Sequence, residues 1–567
     1  MPTDIPFASS YAVRRALRER AEIGLLDVRP EGIFAVGHPL FAASFPLGRL
    51  EADVYDRLPR RSVPLVVYGN GTGAGDDAAT AARRLRSLGY RDVSLLAGGL
   101  AAWTAAGGAL FADVNAPSKA FGELVAAKAG TPAVTAQDLR AMLRDAADVV
   151  VVDARRFEEY QTMSIPTATS VPGAELVLRV GALAPDPATT VVVNCAGRTR
   201  SIIGAQSLIN AGLANRVMAL RNGTIGWILA GLTLEVGQAR RAPEVPAAAA
   251  RRARAAAWAL ARKAGVAQVG AGELRSLEDG GRRTVYRFDV RTPEEYAAGH
   301  PAGFRPAPGG QLVQETDWFA PVRGALIVLA DDDGGRAAMT GSWLAQMGWD
   351  VAVWPPDPAG PIEAGPWTPA LAPLPEVTNA DPARVDRWLR AGEALVVDID
   401  TSRRFLAGHV PGAAWALRTD LPGALPGLLG RAARLVLTSE DGSLAAFAAA
   451  DLPERARGVR DAVTVLDGGT AGWARSGRPL QAGPAEMLSP PVDVYRRPYE
   501  GTDVDPAAMR AYLDWEHGLV AQLERDGTHG FTVLTGLTAS SRASDQPLNH
   551  SLSIHILDNS FKRWENR

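Results

Sequence analysis

A hydrophobic strand leads into a short polar loop in the segment Val191-Val-Val-Asn-Cys-Ala-Gly-Arg-Thr-Arg-Ser201, and this pattern indicates an α/β fold. The segment Ile202-Ile-Gly-Ala-Gln-Ser-Leu208 follows and has the composition of a helix. Cys195 is therefore predicted to lie at the mouth of a strand–loop–helix turn, where backbone N–H groups converge. Arg198 and Arg200 add positive charge, and both effects favour the reactive thiolate. A lone cysteine is more often a small buried hydrophobe, but the polar residues that follow this one favour a functional thiol.

The composition of the chain narrows the classes of function. Among 567 residues there is one cysteine, which excludes an intramolecular disulfide and a cysteine-based metal site. Hydrophobic residues make up 47% and charged residues 22%, as in soluble globular proteins. The formal net charge of −2 gives no field that would attract nucleic acid or an anionic membrane. We therefore expect neither as a partner.

The sequence also shows no pattern typical of a membrane span, a secretory signal, a cofactor site or a metal site. No run approaches the roughly 20 apolar residues of a membrane span, and Met1-Pro-Thr-Asp-Ile-Pro6 lacks the pattern of a secretory signal. We expect a cytoplasmic protein with no cofactor and no metal, and the abundance of Ala, Arg, Gly and Pro suggests a bacterial gene. His550 and His555 lie in a polar tail and are expected to be incidental rather than metal ligands.

The chain contains a fourfold repeat. Four segments begin with a strand that ends in an acidic turn: Leu25-Leu-Asp-Val-Arg29, Val151-Val-Asp-Ala-Arg155, Arg287-Phe-Asp-Val-Arg291 and Val396-Val-Asp-Ile-Asp400. Three of them end alike, in Ala97-Gly-Gly-Leu-Ala-Ala-Trp103, Arg221-Asn-Gly-Thr-Ile-Gly-Trp227 and Asp467-Gly-Gly-Thr-Ala-Gly-Trp473; the third segment has lost this ending. The spacing of roughly 110–135 residues is too long for a solenoid module, so each repeat is predicted to be a whole domain.

Within each repeat, short apolar strands alternate with helical stretches, which indicates an α/β fold with a small parallel sheet flanked by helices. We predict four tandem domains over residues 1–115, 128–242, 264–368 and 376–485, and a helical and irregular tail over 486–567. Predicted linkers are Asn115–Ser118, Arg241–Pro246 and 369–378. The Ala/Arg-rich stretch Ala247–Lys263 is predicted to be a connecting helix with a solvated face. Met509–Leu523 is predicted to be an amphipathic helix packed on a domain, with Trp515 and Leu519 on one face.

The acidic turns, the cysteine loop and the Gly-containing endings together resemble the rhodanese sulfurtransferase superfamily, over roughly residues 10 to 480. In that family an Asp-x-Arg turn is followed by Glu-Tyr and by a Gly-His-Ile-Pro-Gly-Ala segment. This chain has Arg291-Thr-Pro-Glu-Glu-Tyr296 with Gly299-His300, Gly408-His-Val-Pro-Gly-Ala413, and Gly37-His38. The second repeat has Phe157-Glu-Glu-Tyr160 but Ser164-Ile-Pro-Thr-Ala-Thr169 in place of the histidine segment. The resemblance implies four tandem rhodanese-like domains.

Only the second repeat carries a thiol in its loop. Alignment of the preceding strands places Asp331 and Ser439 at the equivalent positions of the third and fourth repeats, and Asn70 or Gly71 in the first. The glycine-rich stretch Gly69–Gly75 lacks the Gly-Lys-Ser/Thr ending of a phosphate-binding loop. Repeats one, three and four are therefore predicted to be inactive and to serve packing, binding or regulation.

The resemblance implies a thiosulfate sulfurtransferase in which Cys195 is the nucleophile and carries a persulfide. The loop amides of Ala196, Gly197 and Thr199 are expected to form an anion-binding nest, with Arg198 and Arg200 holding the oxyanion of a small sulfur donor. Three further residues are expected to support the loop: Ser201 as the cap of the following helix, and Asp153 with Arg155 as a brace or as an ordinary surface salt bridge. The acceptor is expected to be cyanide, a small thiol or a protein cysteine.

Two other functions remain open for the same loop. Tyrosine phosphatases and related arsenate reductases carry Cys-x5-Arg, whereas here four residues separate Cys195 from Arg200, which fits a sulfane sulfur better than a phosphate. The second alternative is a sulfur-carrier or interaction scaffold with little free turnover, because four domains share one active loop.

Overall fold

The computed structural model describes residues 5–71, 76–355, 360–452 and 463–534. Four of its sheets share one strand order, and their pairings are parallel except at one edge strand; a fifth, two-stranded sheet is antiparallel. Strands buried on both faces are typical of parallel sheets flanked by helices, and each central strand is rich in Val, Leu and Ile. The predicted α/β fold class is confirmed.

The first sheet has the order β1-β5-β4-β2, with β3 beside β2. Its strands are β1 (Phe7–Ala8), β2 (Ile23–Asp27), β3 (Ala43–Ser44), β4 (Leu65–Tyr68) and β5 (Val93–Leu96). Its helices are α1 (Ser10–Arg18), α2 (Glu31–Phe34), α3 (Leu50–Arg57), α4 (Asp77–Ser87) and α5 (Gly99–Ala105), with a 3-10 turn at Leu47–Arg49.

The second sheet, which carries the candidate site, has the order β6-β10-β9-β7-β8. Its strands are β6 (Ala133–Val134), β7 (Val149–Asp153), β8 (Thr169–Ser170), β9 (Thr190–Asn194) and β10 (Val217–Leu220). The helices of this region are α6 (Ala116–Ala129), α7 (Ala136–Arg144), α8 (Phe157–Thr162), α9 (Leu176–Leu183), α10 (Thr199–Asn210) and α11 (Gly223–Leu229), with a 3-10 turn at Gly173–Glu175.

The third sheet has the order β11-β17-β16-β12-β14. Strands of this region are β11 (Ala267–Gln268), β12 (Val285–Asp289), β13 (His300–Pro301), β14 (Arg305–Pro306), β15 (Val322–Arg323), β16 (Leu326–Ala330), β17 (Asp350–Val353) and β18 (Ile362–Glu363). Its helices are α12 (Ala247–Lys263), α13 (Ala271–Asp279), α14 (Pro293–Ala298), α15 (Gly309–Gln314), α16 (Thr316–Phe319) and α17 (Gly335–Gln346). Strand β15 leaves this domain and pairs antiparallel with β2 of the first sheet.

The fourth sheet has the order β19-β23-β22-β20-β21. Its strands are β19 (Asn379–Ala380), β20 (Ala394–Asp398), β21 (Ala414–Trp415), β22 (Arg434–Thr438) and β23 (Val463–Leu466). Its helices are α18 (Pro382–Arg390), α19 (Ser402–Ala407), α20 (Leu421–Leu429), α21 (Ser443–Asp451) and α22 (Gly469–Arg475), and the tail adds α23 (Pro506–Asp526).

One predicted linker is wrong. The stretch from Asn115 to Ser118 does not connect two domains across the surface; it begins α6, whose first ten residues are all buried. This helix lies between α10 and α23 at the centre of the molecule, and one apolar core runs through the first three sheets and includes Phe121 of α6. The sequence suggests a linker here because Asn115 is the N-cap of the helix and Pro117 lies in its first turn.

The two predicted helices outside the repeats are confirmed. Ala247–Lys263 forms α12, which buries Ala257, Leu260 and Ala261 and exposes most of its arginines. The predicted helix Met509–Leu523 lies within α23, where Leu519 is fully buried. No described helix combines the length and apolar character needed to cross a membrane.

Candidate active site

A buried ion pair braces the strand that leads into the cysteine loop. Asp153 ends β7 opposite Asn194, the last residue of β9. Its carboxylate accepts hydrogen bonds from Arg155 Nε at 2.9 Å, from Arg155 Nη2 at 2.8 Å and from Asn194 Nδ2 at 2.8 Å. Asp153 and Arg155 are both almost fully buried, so the alternative of an ordinary surface salt bridge is wrong. Asn194 was not identified from the sequence as part of this brace. Its position directly before Cys195 is the sequence signal that could have indicated it.

Cys195 follows β9 directly and is 2% exposed. Its carbonyl accepts the N–H of Thr224 at 2.9 Å, and the carbonyl of Ala196 accepts the N–H of Ile225 at 3.0 Å. This contact requires glycine at position 223: φ there is +53°, and a Cβ would lie 2.2 Å from the Cys195 oxygen. The Gly-containing ending of the repeat therefore hydrogen-bonds to the cysteine loop and fixes its backbone. The sequence had suggested only a turn for Gly223.

The strand register identifies the residues equivalent to Cys195 in the other sheets. Asp153 pairs with Asn194, as Asp289 pairs with Ala330 and Asp398 with Thr438, so Asp331 and Ser439 are the equivalent residues. In the first sheet Asp27 pairs with Tyr68, which gives Gly69. The predicted alternatives Asn70 and Gly71 are wrong, because the first loop has a different length.

In the third and fourth loops, the side chain equivalent to Cys195 accepts a hydrogen bond from the backbone amide six residues further along the chain. The carboxylate of Asp331 accepts the N–H of Ala337 at 2.8 Å and also the N–H of Gly334. Ser439 Oγ accepts the N–H of Ala445 at 3.3 Å. The corresponding groups around Cys195 are the amides of Ser201 and Arg198.

Both arginines of the cysteine loop lie in ion pairs. Arg198 Nε and Nη2 donate to the two oxygens of Glu123 at 2.6 and 2.8 Å, and Nη1 donates to Asn222 Oδ1 at 3.1 Å. Arg200 Nη1 and Nη2 donate to the two oxygens of Glu159 at 2.7 and 2.9 Å. Each guanidinium is thus neutralised locally and fixes the loop to a neighbouring helix.

The pairing affects the titration of these groups. Burial raises the pKa of Glu159, but the charges of Arg200 and Arg155 outweigh burial and hold that pKa well below its usual range. Glu159 belongs to the quoted Glu-Glu-Tyr motif, so its sequence signal was present. Glu123 lies in a stretch that was predicted to fall between two domains and gave no such signal.

The remaining predicted loop residues take different places. Ala196 is buried against Ile225, Tyr499 and Met509, and Thr199 begins α10. The expected capping role of Ser201 is wrong: Arg198 occupies the N-cap position, and Ser201 lies within the first turn with its Oγ donating to the Arg198 carbonyl at 2.8 Å.

The thiol of Cys195 has a raised pKa, opposite to the direction that the sequence predicts. Burial is the largest cause; the charge of Arg200 and hydrogen bonds from Ser201 oppose it, while Glu516 adds to the rise. Desolvation penalises a thiolate, and it exceeds the effect of the loop amides in this conformation. The cover comes from a part of the chain far from the loop in sequence.

Helix α23 lies against the cysteine loop. Met509, Tyr512 and Leu513 share an apolar cluster with Ala196 and Ile225. A Cβ on Gly197 would lie 3.1 Å from Tyr512 Cε1 and 3.3 Å from Glu516 Oε2. The predicted packing of this helix on a domain is confirmed. Its contact with the cysteine loop was not predicted, and the only sequence signal for it is Glu516, a carboxylate on the apolar face of the helix.

One group of carboxylates in the described ranges lies close enough together to consider as a metal site: Asp331, Asp332 and Asp333. Asp331 already accepts two amide N–H groups and Asp332 pairs with Arg336 at 2.9 Å. This group therefore gives no support to a metal centre. His550 and His555 lie outside the described residues.

The comparisons with known proteins agree with this geometry. The family model of the rhodanese-like domain matches residues 11–106, 135–230 and 381–476. The crystal structure of a thiosulfate sulfurtransferase from Pseudomonas aeruginosa superposes with a TM-score of 0.90 at 53% identity, covering 94% of this chain and 100% of that one.

An HTH-type transcriptional regulator from Mycobacterium tuberculosis is 35% identical over 94 residues, which are 17% of this chain and 41% of that protein. The chain thus spans less than half the length of this curated relative. The three family matches, the shared Asp–Arg brace and the cysteine loop lead to one conclusion: the chain belongs to the rhodanese-like family.

Proposed function

We propose that this enzyme, a sulfurtransferase, moves sulfane sulfur from thiosulfate or a related small anionic donor to a thiophilic acceptor through a persulfide on Cys195. One observation carries the proposal: Cys195 is the only cysteine of the chain, and it occupies the loop position at which the equivalent side chains face backbone amides. Those amides suit an anionic sulfur better than a neutral thiol.

The third loop supports the existence of this anion nest. Its carboxylate, Asp331, accepts the N–H groups of Gly334 and Ala337. Hydrogen bonding from the Ser201 amide likewise lowers the pKa of Cys195 against the larger effect of burial. We infer that a terminal persulfide sulfur on Cys195 would be stabilised by the amides of the loop Ala196–Ser201.

The first half of the reaction begins with the Cys195 thiolate. It attacks the outer sulfur of thiosulfate, a bond forms between Sγ and that sulfur, and the bond to the central sulfur breaks with release of sulfite. The persulfide remains on the enzyme. A nucleophilic acceptor then takes the outer sulfur, and Cys195 leaves as thiolate, which gives two-step covalent catalysis with ping-pong kinetics.

Arg198 and Arg200 are proposed to bind the oxyanion of the donor. Each guanidinium has five N–H groups, and the pairs with Glu123 and Glu159 use some of them. The remaining N–H groups can reach an incoming anion, while the glutamates hold both guanidinium planes in place. The hydrogen bonds of Asp153 with Arg155 and Asn194 hold the end of β9 in place, and Cys195 follows that strand end directly.

Several further features belong to the same proposal. The acceptor is cyanide, a small thiol or a protein cysteine, because the chain offers no second thiol of its own. The other three domains, proposed over residues 1–115, 264–368 and 376–485, act in packing, binding or regulation. We place the enzyme in the cytoplasm of a bacterium, where small thiols are abundant.

Intact-mass measurement tests this function. Incubation of the purified protein with thiosulfate is expected to add one sulfur atom and to release one equivalent of sulfite, and cyanide should then remove the added sulfur as thiocyanate. Absence of the adduct together with hydrolysis of an aryl phosphate would establish the phosphatase alternative instead. Formation of the adduct with no turnover on added thiol or cyanide would establish a sulfur carrier.

A further inference from the structure

The proposed reaction needs two reagents to reach a thiol that the structure covers. Cys195 is 2% exposed, and Ala196 after it is buried as well. A sulfur donor and then an acceptor must each come into contact with the sulfur on Cys195. Some part of the molecule therefore has to move away from the cysteine loop before either reagent can react.

The N-terminal half of α23 forms the cover over the loop. Met509, Tyr512 and Leu513 pack against Ala196 in one apolar cluster. The ring of Tyr512 lies so close to the loop that a methyl group on Gly197 would be 3.1 Å from it. Among the described residues, no hydrogen bond joins this half of the helix to the loop. Apolar contact holds it there.

The C-terminal half of the same helix is attached more firmly. Leu519 and Leu523 are buried in the central apolar core. Arg14 of α1 donates to the Asp526 carbonyl at 2.8 Å and to the Asp526 carboxylate at 3.2 Å. This half is thus fixed by core packing and by a buried ion pair, whereas the half over the loop has only its apolar face.

Gly518 lies between the two halves. It is exposed, and a Cβ at this position would meet no atom within 4 Å, so packing does not require a glycine here. Glycine in the interior of a helix destabilises the helix relative to alanine, because its backbone has more conformational freedom. Gly518 therefore gives α23 a weak point between its loosely and its firmly attached parts.

The closed position also leaves one buried polar atom without a partner. Glu516 is fully buried. Tyr512 Oη donates to its Oε1 at 2.8 Å, whereas Oε2 has no hydrogen-bond partner among the described residues. Two nearby cations, Lys119 and Arg198, are already paired with other carboxylates. A buried acceptor without a partner costs free energy, and water removes this cost once the helix moves outward.

We propose that residues 506–517 form a lid that moves about Gly518 to admit thiosulfate and then the acceptor, an inference that rests on the proposed reaction at Cys195. In the closed position the lid shields the thiol and its persulfide from solvent. In the open position Cys195 Sγ and Glu516 are solvated, while residues 519–526 keep their contacts. Only the open state binds thiosulfate, so the open fraction scales the apparent affinity for it.

Alkylation by iodoacetamide measures this opening, because Cys195 is the only thiol of the chain. Leu513→Ala removes an apolar contact of the closed lid and should raise the alkylation rate at least about 10-fold. The KM for thiosulfate should fall by the same factor, with kcat unchanged. Leu139→Ala is the matched control, because Leu139 is fully buried in the core of the same domain and lies outside the lid cluster. It should change neither value.

Three results would contradict or separate these claims. Equal increases in alkylation in Leu513→Ala and Leu139→Ala, or no increase in Leu513→Ala, would overturn the lid, because access would then come from unfolding of the domain or by another route. Faster alkylation with an unchanged KM would also overturn it, since thiosulfate would enter elsewhere. If the wild-type protein takes no sulfur from thiosulfate while Leu513→Ala is alkylated faster, the proposed function fails and the movement of the helix stands.

A second pair of variants tests the position of the hinge. Gly518→Ala should lower the alkylation rate about 2- to 5-fold, which corresponds to the roughly 0.5–1 kcal/mol by which a helix favours alanine over glycine. Gly181→Ala makes the same change at an exposed glycine of α9, where the added Cβ also meets no atom within 4 Å, and should leave the rate unchanged. Equal effects in the two variants, or no effect in Gly518→Ala, would overturn the hinge at Gly518.

Discussion

The second and third domains carry equivalent loops, Cys195–Arg200 and Asp331–Arg336, after equivalent strands. In both, an arginine near the start of the following helix pairs with a glutamate of the Glu-Glu-Tyr motif: Arg200 with Glu159, and Arg336 with Glu295 at 2.7 Å. The frame is thus the same. What differs is the side chain at its centre, a thiol in one domain and a carboxylate in the other.

In the third loop the backbone amides already bind a carboxylate, whereas in the second loop they face a thiol. Asp331 supplies its own anion to the amides of Gly334 and Ala337, so the third nest is already occupied. Burial raises the pKa of Asp331 to about 6, and those same amides lower it. A thiol brings no fixed charge to the equivalent amides, and for this reason we propose sulfur transfer for the second domain and not for the third.

Replacement of Cys195 should have the largest effect. Cys195→Ser is expected to reduce thiocyanate production from thiosulfate to the uncatalysed level, because serine forms no persulfide. The fold should be unchanged, since the fourth domain holds Ser439 at the same position with the Ala445 amide 3.3 Å from its Oγ.

Asp331→Asn is the matched change in the third loop, and it should leave the transfer rate unchanged. A large loss of activity in Asp331→Asn, with normal melting, would contradict the division of the two domains into a reactive and a closed loop.

Much of this comparison could be predicted from the sequence, because it depends on local order along the chain. The acidic turn, the strand and the loop are contiguous, and parallel strands bring their carboxyl ends together. The cover over Cys195 could not be predicted: Tyr512 and Glu516 are more than 300 residues away in sequence. The raised pKa of the thiol follows from that cover, so the prediction from the loop alone had the wrong sign.

The Gly-containing ending, which the third domain lacks, offers the second test. Gly223→Ala should place a methyl group 2.2 Å from the Cys195 carbonyl oxygen. The loop must then shift, so we expect a loss of about 1–3 kcal/mol of stability in addition to the conformational cost and a decrease in sulfur transfer of about 10²-fold.

Gly231→Ala is the control for Gly223→Ala. Its φ of +71° is similarly strained for alanine, but no described atom lies within 4 Å of the added Cβ. We expect only about 1 kcal/mol of destabilisation and normal activity, measured by urea unfolding and by thiocyanate production. Equal losses in both variants would show that backbone strain, and not the contact with Cys195, determines the effect.

The glutamate pairs should differ in strength between the two domains. Glu159 is the carboxylate that pairs with Arg200, whose side chain is 12% exposed, so Glu159→Gln should cost about 1–3 kcal/mol of unfolding free energy. Arg336 also pairs with Glu175 and Asp332, and Glu295 is 35% exposed, so Glu295→Gln should cost about 1 kcal/mol or less.

The pH dependence of these variants has a defined sign. Because the pKa of Glu159 is lowered in the folded state, its contribution is complete above about pH 4.3, the pKa of an unfolded glutamate, and decreases as the pH falls. Urea unfolding of the wild type and of Glu159→Gln should therefore converge in acid. A constant difference down to low pH would attribute the loss to packing instead of charge.

The smallest effect concerns the resting thiol itself. Because the chain has a single cysteine, the rate of alkylation by iodoacetamide reports on Cys195 alone. Burial raises its pKa against the charge of Arg200, so the pH midpoint of alkylation in the native protein should lie above that of the same protein unfolded in urea, where the thiol is fully solvated. A native midpoint below the unfolded one would mean that the amides outweigh burial and that the second loop already holds a thiolate, as the third loop holds its carboxylate.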